Sequence, residues 1–332
     1  MAFKNENVFN GEVDIKYLFQ KSYQKTKNLV IVFSGIPPMG KNPSYNYVRT
    51  LSGFDCNKLF ILDDFGCRAS YYLCENRDFA IERSVISLIN YIVKENEIDT
   101  ILACGSSKGG YASLYYGLKY GFDHIVAASP QFLIGEYLMN QTNSQNIASF
   151  MAGDVTEDDY NFLNNIMSNM INETNHKPSI FIHLGAGEPH YEVHVKPLIK
   201  LLETRDINYT LDLGDYSKHS DVGVFYPPIL REKISDTFDY PIVKSLEPKT
   251  DEHILNGIQT FTVETDSKDN KIAWYLYHDK ERIGVQNYST ENTFTVTYER
   301  PGTYEITAFV INNKKRKVSM QTTPIIITAD SK

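Results

Sequence analysis

A single turn limits how this chain can fold more than any other feature. Thr100–Cys104 is a short apolar run that leads directly into Gly105-Ser106-Ser107-Lys108-Gly109-Gly110, and Tyr111, Leu114, Tyr115 and Leu118 then recur at helical spacing. Gly105, Ser107 and Gly109 make a G-x-S-x-G pattern between a strand and a helix, where a serine is pushed outward from a tight, strained turn. Side chains on either flank would collide with the neighbouring strand and helix, which accounts for the glycines. The helix begins at the serine, so its free N–H groups and positive dipole end point to where an oxyanion would form.

The flanking pattern supports that reading. Leu29–Phe33 and Lys58–Leu62 read as buried strands, the first followed by the turn Ser34–Pro38 and the second by Asp63-Asp64-Phe65-Gly66. Ile81, Val85, Leu88, Ile89 and Ile92 share one face of a helix over about 79–95. Further strands are expected at Ile125–Ala128, Ser179–Leu184 and Tyr209–Leu213, with helices at about 192–204 and 225–239. Alternating strands and helices predict an α/β fold, a mostly parallel sheet with helices on both faces and ligands beyond the carboxyl ends of its strands. Residues 131–176, rich in Asn, Met and acidic residues, interrupt the rhythm and read as a helical lid insertion.

After Pro248 the helical period disappears. Ile258–Val263, Ile272–His278, Phe294–Tyr298, Thr303–Val310 and Ile325–Thr328 are short strand-like runs, which suit a small all-β, immunoglobulin-like sandwich. The domains expected are therefore 1–245 and 252–330, with Val243–Asp251 as linker.

Composition sets outer limits. The 332 residues are 42% hydrophobic and 22% charged, with a formal net charge of −8 that argues against nucleic acid as a partner. Lys314-Lys315-Arg316-Lys317 follows Asn312-Asn313 and reads as a solvated hairpin turn. No segment reaches the ~18 apolar residues of a membrane span, and the first residues do not read as a secretory signal. The four cysteines, Cys56, Cys67, Cys74 and Cys104, lack zinc-ligand spacing, so a reduced, cytoplasmic setting is expected.

A nucleophilic serine needs a base and an acid that orients the base. In α/β-hydrolases these follow the serine in the order acid, then histidine, on loops after later strands. Gly185-Ala186-Gly187-Glu188-Pro189-His190 follows one such strand, and Gly214–Asp221, containing His219, follows the next. His219 is assigned as base and Glu188 as acid, with Asp215 and Asp221 as rivals for the acid and His190 as a pocket wall. The oxyanion donors expected are the backbone N–H of Lys108 and of Gly35 or Ile36. The Lys108 side chain is expected either to reach an anionic substrate or to lie solvated over its helix. Asp63 and Asp64, at a strand end on the same face, are candidates for binding substrate hydroxyls or for helix capping.

Phe33-Ser34-Gly35, Asp64-Phe65-Gly66, Gly105–Gly110 with Tyr111–Tyr116, and Lys218-His219-Ser220 together resemble the α/β-hydrolase domain of accessory Sec secretion-system proteins. Those are glycan O-acetyltransferases acting on serine-rich adhesins, and capsular polysaccharide biosynthesis proteins look related. The resemblance covers the first 240 residues and implies that Ser107, Glu188 and His219 take the family's Ser, Glu and His roles. Trp274–Tyr277, Tyr288 and Pro301–Ile306 resemble a three-Y (triple tyrosine) domain, an immunoglobulin-like module.

The expectation is a serine-dependent acyl-transfer enzyme, an esterase or carbohydrate O-acetyltransferase. It would work through an acyl-enzyme on an acylated small molecule or glycan, with no metal or organic cofactor. The alternative is a non-catalytic scaffold in a glycosylation or secretion assembly, recruiting a protein partner through its β-domain.

Overall fold

Leu29–Phe33 is buried at every position, on both alternations of the strand, so it must lie inside a sheet covered on both faces. The computed structural model describes residues 5–249 and 254–329 and places this run in β3 (Asn28–Phe33). The other strands of its sheet are β1 (Asn7–Asn10), β2 (Asp14–Gln20), β4 (Asn57–Ile61), β5 (Thr100–Ser106), β6 (His124–Ala128), β7 (Ser179–Gly185) and β8 (Tyr209–Gly214). Their order is β1-β2-β4-β3-β5-β6-β7-β8. From β4 to β8 all neighbours are parallel, while β2 runs antiparallel to both β4 and β1. The strand order reverses between β3 and β5, and the crevice beyond their carboxyl ends is where such sheets bind ligands.

The helix expected over about 79–95 is present, with Ile81, Val85, Leu88, Ile89 and Ile92 all buried. The helices are α1 (Ala80–Glu95), α2 (Lys108–Tyr120), α3 (Ile134–Glu136), α4 (Gln145–Ala152), α5 (Glu157–Glu173), α6 (Lys196–Thr204) and α7 (Val222–Phe238). Wider helical turns at Tyr137–Gln141 and Tyr191–Val195 extend α3 and lead into α6. Leu29, Ile31 and Phe33 share one continuous apolar core with Val85 and Leu88 of α1, Leu114 and Leu118 of α2, Met167 of α5 and Leu202 of α6. On α7, buried Tyr226 donates a hydrogen bond to the Val126 carbonyl of β6 at 2.6 Å. The expected parallel α/β sheet is thus present. Its two antiparallel strands β1 and β2 were not read from the sequence, because β1 has only four residues and β2 mixes Asp14, Lys16 and Gln20 with its apolar positions.

The described residues divide into two compact units, one up to Val48 with Cys56–Leu230, the other Arg49–Asp55 with Arg231 onward. Position 252, Thr250–Asp251 of the expected linker and Met1–Lys4 lie outside the described residues. Within the second unit, β9 (Val243–Pro248), β10 (Ile258–Thr265) and β13 (Thr293–Thr297) form one antiparallel sheet. The other contains β11 (Lys271–His278), β12 (Glu281–Ser289), β14 (Gly302–Ile311), β15 (Lys317–Gln321) and β16 (Ile325–Ile327). Trp274 of β11 is fully buried and stacks on Phe294 of β13, bringing the two sheets onto one core. Val243–Pro248 is therefore not linker, as expected, but a strand paired with β10; its charged positions Lys244 and Glu247 simply face outward. Among the described residues no helix is long and apolar enough to cross a membrane.

Candidate active site

The turn after β5 has the strain its sequence implies. Ser107 sits at φ 55°, ψ −120°, a region that L-residues avoid, at the head of α2. The glycines permit it. A Cβ on Gly105 would stand 2.6 Å from the Phe33 carbonyl oxygen and one on Gly109 only 2.2 Å from the same atom, so any larger residue would force the strand and helix apart. Ser107 N–H donates to Ala128 O at 2.8 Å, and its own carbonyl accepts the first helical bond from Tyr111 N–H.

Ser107, His219 and Glu188 meet at this point. Ser107 Oγ lies 3.1 Å from His219 Nε2, and His219 Nδ1 lies 2.9 Å from Glu188 Oε2. With Nδ1–H donated to the carboxylate, Nε2 is left to accept the serine proton. Glu188 is buried, and its second oxygen accepts from Ser129 Oγ at 2.7 Å and Gly185 N–H at 2.9 Å. Burial alone would raise its pKa, but His219, the Gly185 N–H and Ser129 together hold it down to about 2. Glu188 is therefore a fixed anion, held by Ser129 and Gly185 through one oxygen and facing the His219 ring with the other. Neither Asp215 nor Asp221 has a hydrogen bond to His219 among the described residues.

Of the N–H groups expected to serve as oxyanion donors, two are free of protein acceptors. The Lys108 and Ile36 N–H groups have no protein acceptor among the described residues, whereas the Gly35 N–H is held by Asn46 Oδ1 at 2.8 Å. The Asn46 N–H in turn donates to Ser34 Oγ, and the Ser34 N–H to the hydroxyl of Tyr72.

The Lys108 side chain departs from expectation. It neither reaches toward substrate nor lies in solvent: it is wholly buried, 2.7 Å from Asp63 Oδ2 and over the face of Tyr72. Asp63 is equally buried and also accepts from Ser70 N–H, Ser70 Oγ and Tyr72 N–H, so it is neither a helix cap nor available to substrate hydroxyls. Burial lowers the Lys108 pKa, against the pull of Asp63. Together they tie the head of α2 to the end of β4. Asp64 instead forms a half-exposed ion pair with Lys16 of β2 at 2.6 Å.

Four further residues reach the site without having been read from the sequence: Asn46, Ser129, Gln131 and Tyr137. Gln131 Nε2 is 2.7 Å from Ser107 Oγ and 3.3 Å from His190 Nε2. Tyr137 faces Ser107; burial raises its pKa, with the serine contact and Arg68 opposing. The available signal was positional, since residues just after β6 must lie beside the turn after its neighbour β5. His190, expected as a pocket wall, is buried and stacked on the His219 ring. Ligand atoms of Glu188, His190 and His219 lie within 4.8 Å of one another, near enough to share a metal ion. Both oxygens of the carboxylate and both nitrogens of His219 are already hydrogen-bonded, however, which suits proton transfer.

No protein-family profile matches this sequence, and none of the curated proteins is significantly similar to it. Solved structures do resemble it. A histidine-to-alanine mutant of the capsule O-acetyltransferase of Neisseria meningitidis serogroup A, in complex with CoA, superposes with a TM-score of 0.60 at 22% identity over 69% of this chain and 94% of that one. The Glycosylation Associate Protein (Gap123) complex from Streptococcus agalactiae gives 0.58 at 17%, over 70% of this chain and 47% of that one. FphF, a fluorophosphonate-binding serine hydrolase of Staphylococcus aureus, gives 0.51 at 14%, over 69% and 96%. At these identities the likeness is one of fold, and it supports a domain of α/β-hydrolase-like architecture.

Proposed function

We propose that this protein is a serine-dependent acyltransferase acting on a carbohydrate hydroxyl, with ester hydrolysis as its reaction when water replaces the acceptor. The observation that carries the reading is the unbroken hydrogen-bonded series from Ser107 Oγ through His219 to buried Glu188, at the head of a strained strand-to-helix turn. His219 takes the Ser107 proton as Oγ attacks the acyl carbon. The N–H groups of Lys108 and Ile36 receive the negative charge that develops on the acyl oxygen. The leaving group departs with the proton from His219, and an acceptor hydroxyl, deprotonated by the same nitrogen, then releases the acyl group from Ser107.

The fold likeness to a capsule O-acetyltransferase supports an acetyl group as cargo, a CoA thioester as donor and a surface glycan as acceptor. The likeness to the Gap123 complex favours a second reading, a partner-binding module of a glycosylation or accessory Sec assembly. In either case we read the C-terminal sheets as an immunoglobulin-like, three-Y domain that contacts a protein partner, and the segment 131–176 as a lid.

One experiment separates the two. p-Nitrophenyl acetate turnover and fluorophosphonate labelling are measured for the wild type and for Ser107→Ala, His219→Ala and Glu188→Gln, with folding checked by circular dichroism. The catalytic reading expects loss of labelling in Ser107→Ala and a fall in kcat of about 10³–10⁴ in the other two. Turnover indifferent to Ser107 would overturn it and leave the scaffold reading standing.

A further inference from the structure

Behind the first series of carboxylate, imidazole and hydroxyl stands a second one. His183 of β7 and Asp212 of β8 are directly paired across the parallel strands. His183 Nδ1 lies 2.6 Å from Asp212 Oδ2, and His183 Nε2 lies 3.1 Å from the Tyr216 hydroxyl. The matching spans from Glu188 through His219 to Ser107 are 2.9 and 3.1 Å. His183 and Tyr216 are buried, and the Asp212 side chain is half-exposed. Two glycines make room for Tyr216. A Cβ on Gly185 would stand 2.6 Å from its Cδ2, and one on Gly214 would stand 2.7 Å from its Cε1 and 3.1 Å from His183 Cε1. Phe225 and Tyr226 of α7 stack on Tyr216 and His183 respectively.

The two series meet at Glu188. The Tyr216 hydroxyl also faces Glu188 and Ser129. Ser129, which donates to Glu188, is itself held by its N–H on the His183 carbonyl at 2.7 Å. The chemistry of the groups assigns each proton. An ionised Asp212 can only accept, so the proton of the neutral His183 ring sits on Nδ1 and Nε2 offers a lone pair. Tyr216 gives its one proton to that nitrogen. Ser129 and the Gly185 N–H serve Glu188 Oε1, and Tyr216 has no second proton to add. This matters for His219, because each donor that a carboxylate accepts spreads its charge and weakens its pull on a neighbouring cation.

From this we infer that His183, with its tautomer set by Asp212, is a positioning residue for Glu188: it draws the Tyr216 proton away from the carboxylate and leaves the full pull of Glu188 on His219. The inference deepens the acyl-transfer reading above and rests on it for any effect on rate. In that reading His219 becomes an imidazolium as Ser107 attacks, and Glu188 Oε2 holds the cation. A Tyr216 proton turned toward Glu188 would make the imidazolium form less readily. The other groups that face His219 are Ser107, the stacked His190 and, farther off, His194, and none of them receives the Tyr216 proton.

The test uses the full chain and reads the histidine rings by 15N NMR, with the His183 and His219 signals assigned from their single variants. In the wild type, while the ring is neutral, His183 should carry its proton on Nδ1 and none on Nε2. His183→Phe keeps a ring, changes no charge and can accept nothing, so the Tyr216 proton is free to turn to Glu188. The pH at which His219 takes up its proton should then fall by about half to one unit, the worth of one net hydrogen bond. The acid limb of kcat/KM for p-nitrophenyl acetate should move with it. Tyr216→Phe alone should leave that pH near the wild-type value, and His183→Phe/Tyr216→Phe should restore it. A role confined to packing would give no such restoration. Should the Phe variant at 183 fail to fold, His183→Leu makes the same comparison. A wild-type His183 with its proton on Nε2, an unmoved His219 titration, or an equal fall with and without the Tyr216 hydroxyl would overturn the proposal. If no Ser107-dependent turnover occurs at all, the acyl-transfer reading fails, and the NMR titrations still decide whether His183 governs the Tyr216 proton.

Discussion

The imidazole of His190 lies flat against that of His219, with ring centroids 4.1 Å apart and planes 7° from parallel. Burial first, and the charges of His219 and His194 next, pull the His190 pKa from the usual 6.5 to about 3. The histidine proposed to accept the serine proton is thus stacked on one that stays neutral. His194, behind it, is likewise lowered by burial to about 4; its Nδ1 accepts from the Phe132 and Leu133 N–H groups.

The first prediction concerns acid stability. Below pH 6.5 the unfolded chain protonates these histidines while the native chain does not, so the unfolded state binds more protons and stability falls as pH falls toward 3. Glu188 adds to the loss between its ordinary 4.5 and about 2, where the native carboxylate resists a proton that the unfolded one accepts. At about 1.4 kcal/mol for each pH unit separating native and unfolded pKa values, His190 alone amounts to several kcal/mol by pH 3. The urea midpoint of the wild type should therefore drop steeply between pH 6.5 and 4. His190→Phe, which keeps the stack and removes the titration, should give a visibly shallower slope. Parallel slopes would refute the assignment.

A second prediction follows from the backbone of Ser107. At φ 55° any residue with a Cβ is strained, by roughly 1–2 kcal/mol, and glycine is not. Ser107→Ala and Ser107→Gly should both be inactive, but the glycine variant should melt higher by a few degrees. The comparison is read by calorimetry, and a lower melting point for the glycine variant would count against stored strain.

The buried ion pair of Lys108 and Asp63 makes a third prediction. Removing one member leaves the other charge buried and unpaired, so Lys108→Met should cost about 3–5 kcal/mol in chemical denaturation. Lys108→Met/Asp63→Asn should recover much of that loss, because Asn can still accept from the Ser70 and Tyr72 N–H groups. Additive losses in the double variant would show that the two charges do not depend on each other.

What the sequence revealed and what it hid divide along a physical line. The turn at Gly105–Gly109 was legible because its constraints are local: backbone sterics demand glycine at two positions and tolerate a strained serine between them. That Glu188 and His219 would come together was legible through chain order, since loops after successive parallel strands must gather at one edge. The destination of the Lys108 side chain was not, because a lysine is drawn into a core only by a partner that tertiary folding delivers, here Asp63 from the end of another strand. Gln131 and Asn46 escaped for the same reason. Strand β9 was hidden by its exposed charges, which mimic a linker until its partner β10 is known.

The bond between Asn46 and the Gly35 N–H has a consequence for substrate binding. Asn46 holds Gly35, Ser34 holds Asn46 and Tyr72 holds Ser34, so the loop carrying the Ile36 donor is shaped by folding itself. On the proposed acyl-transfer reading, an incoming acyl group would find its oxyanion pocket already assembled. Because the conformational entropy of that arrangement was surrendered when the chain folded, binding need not be opposed by it a second time.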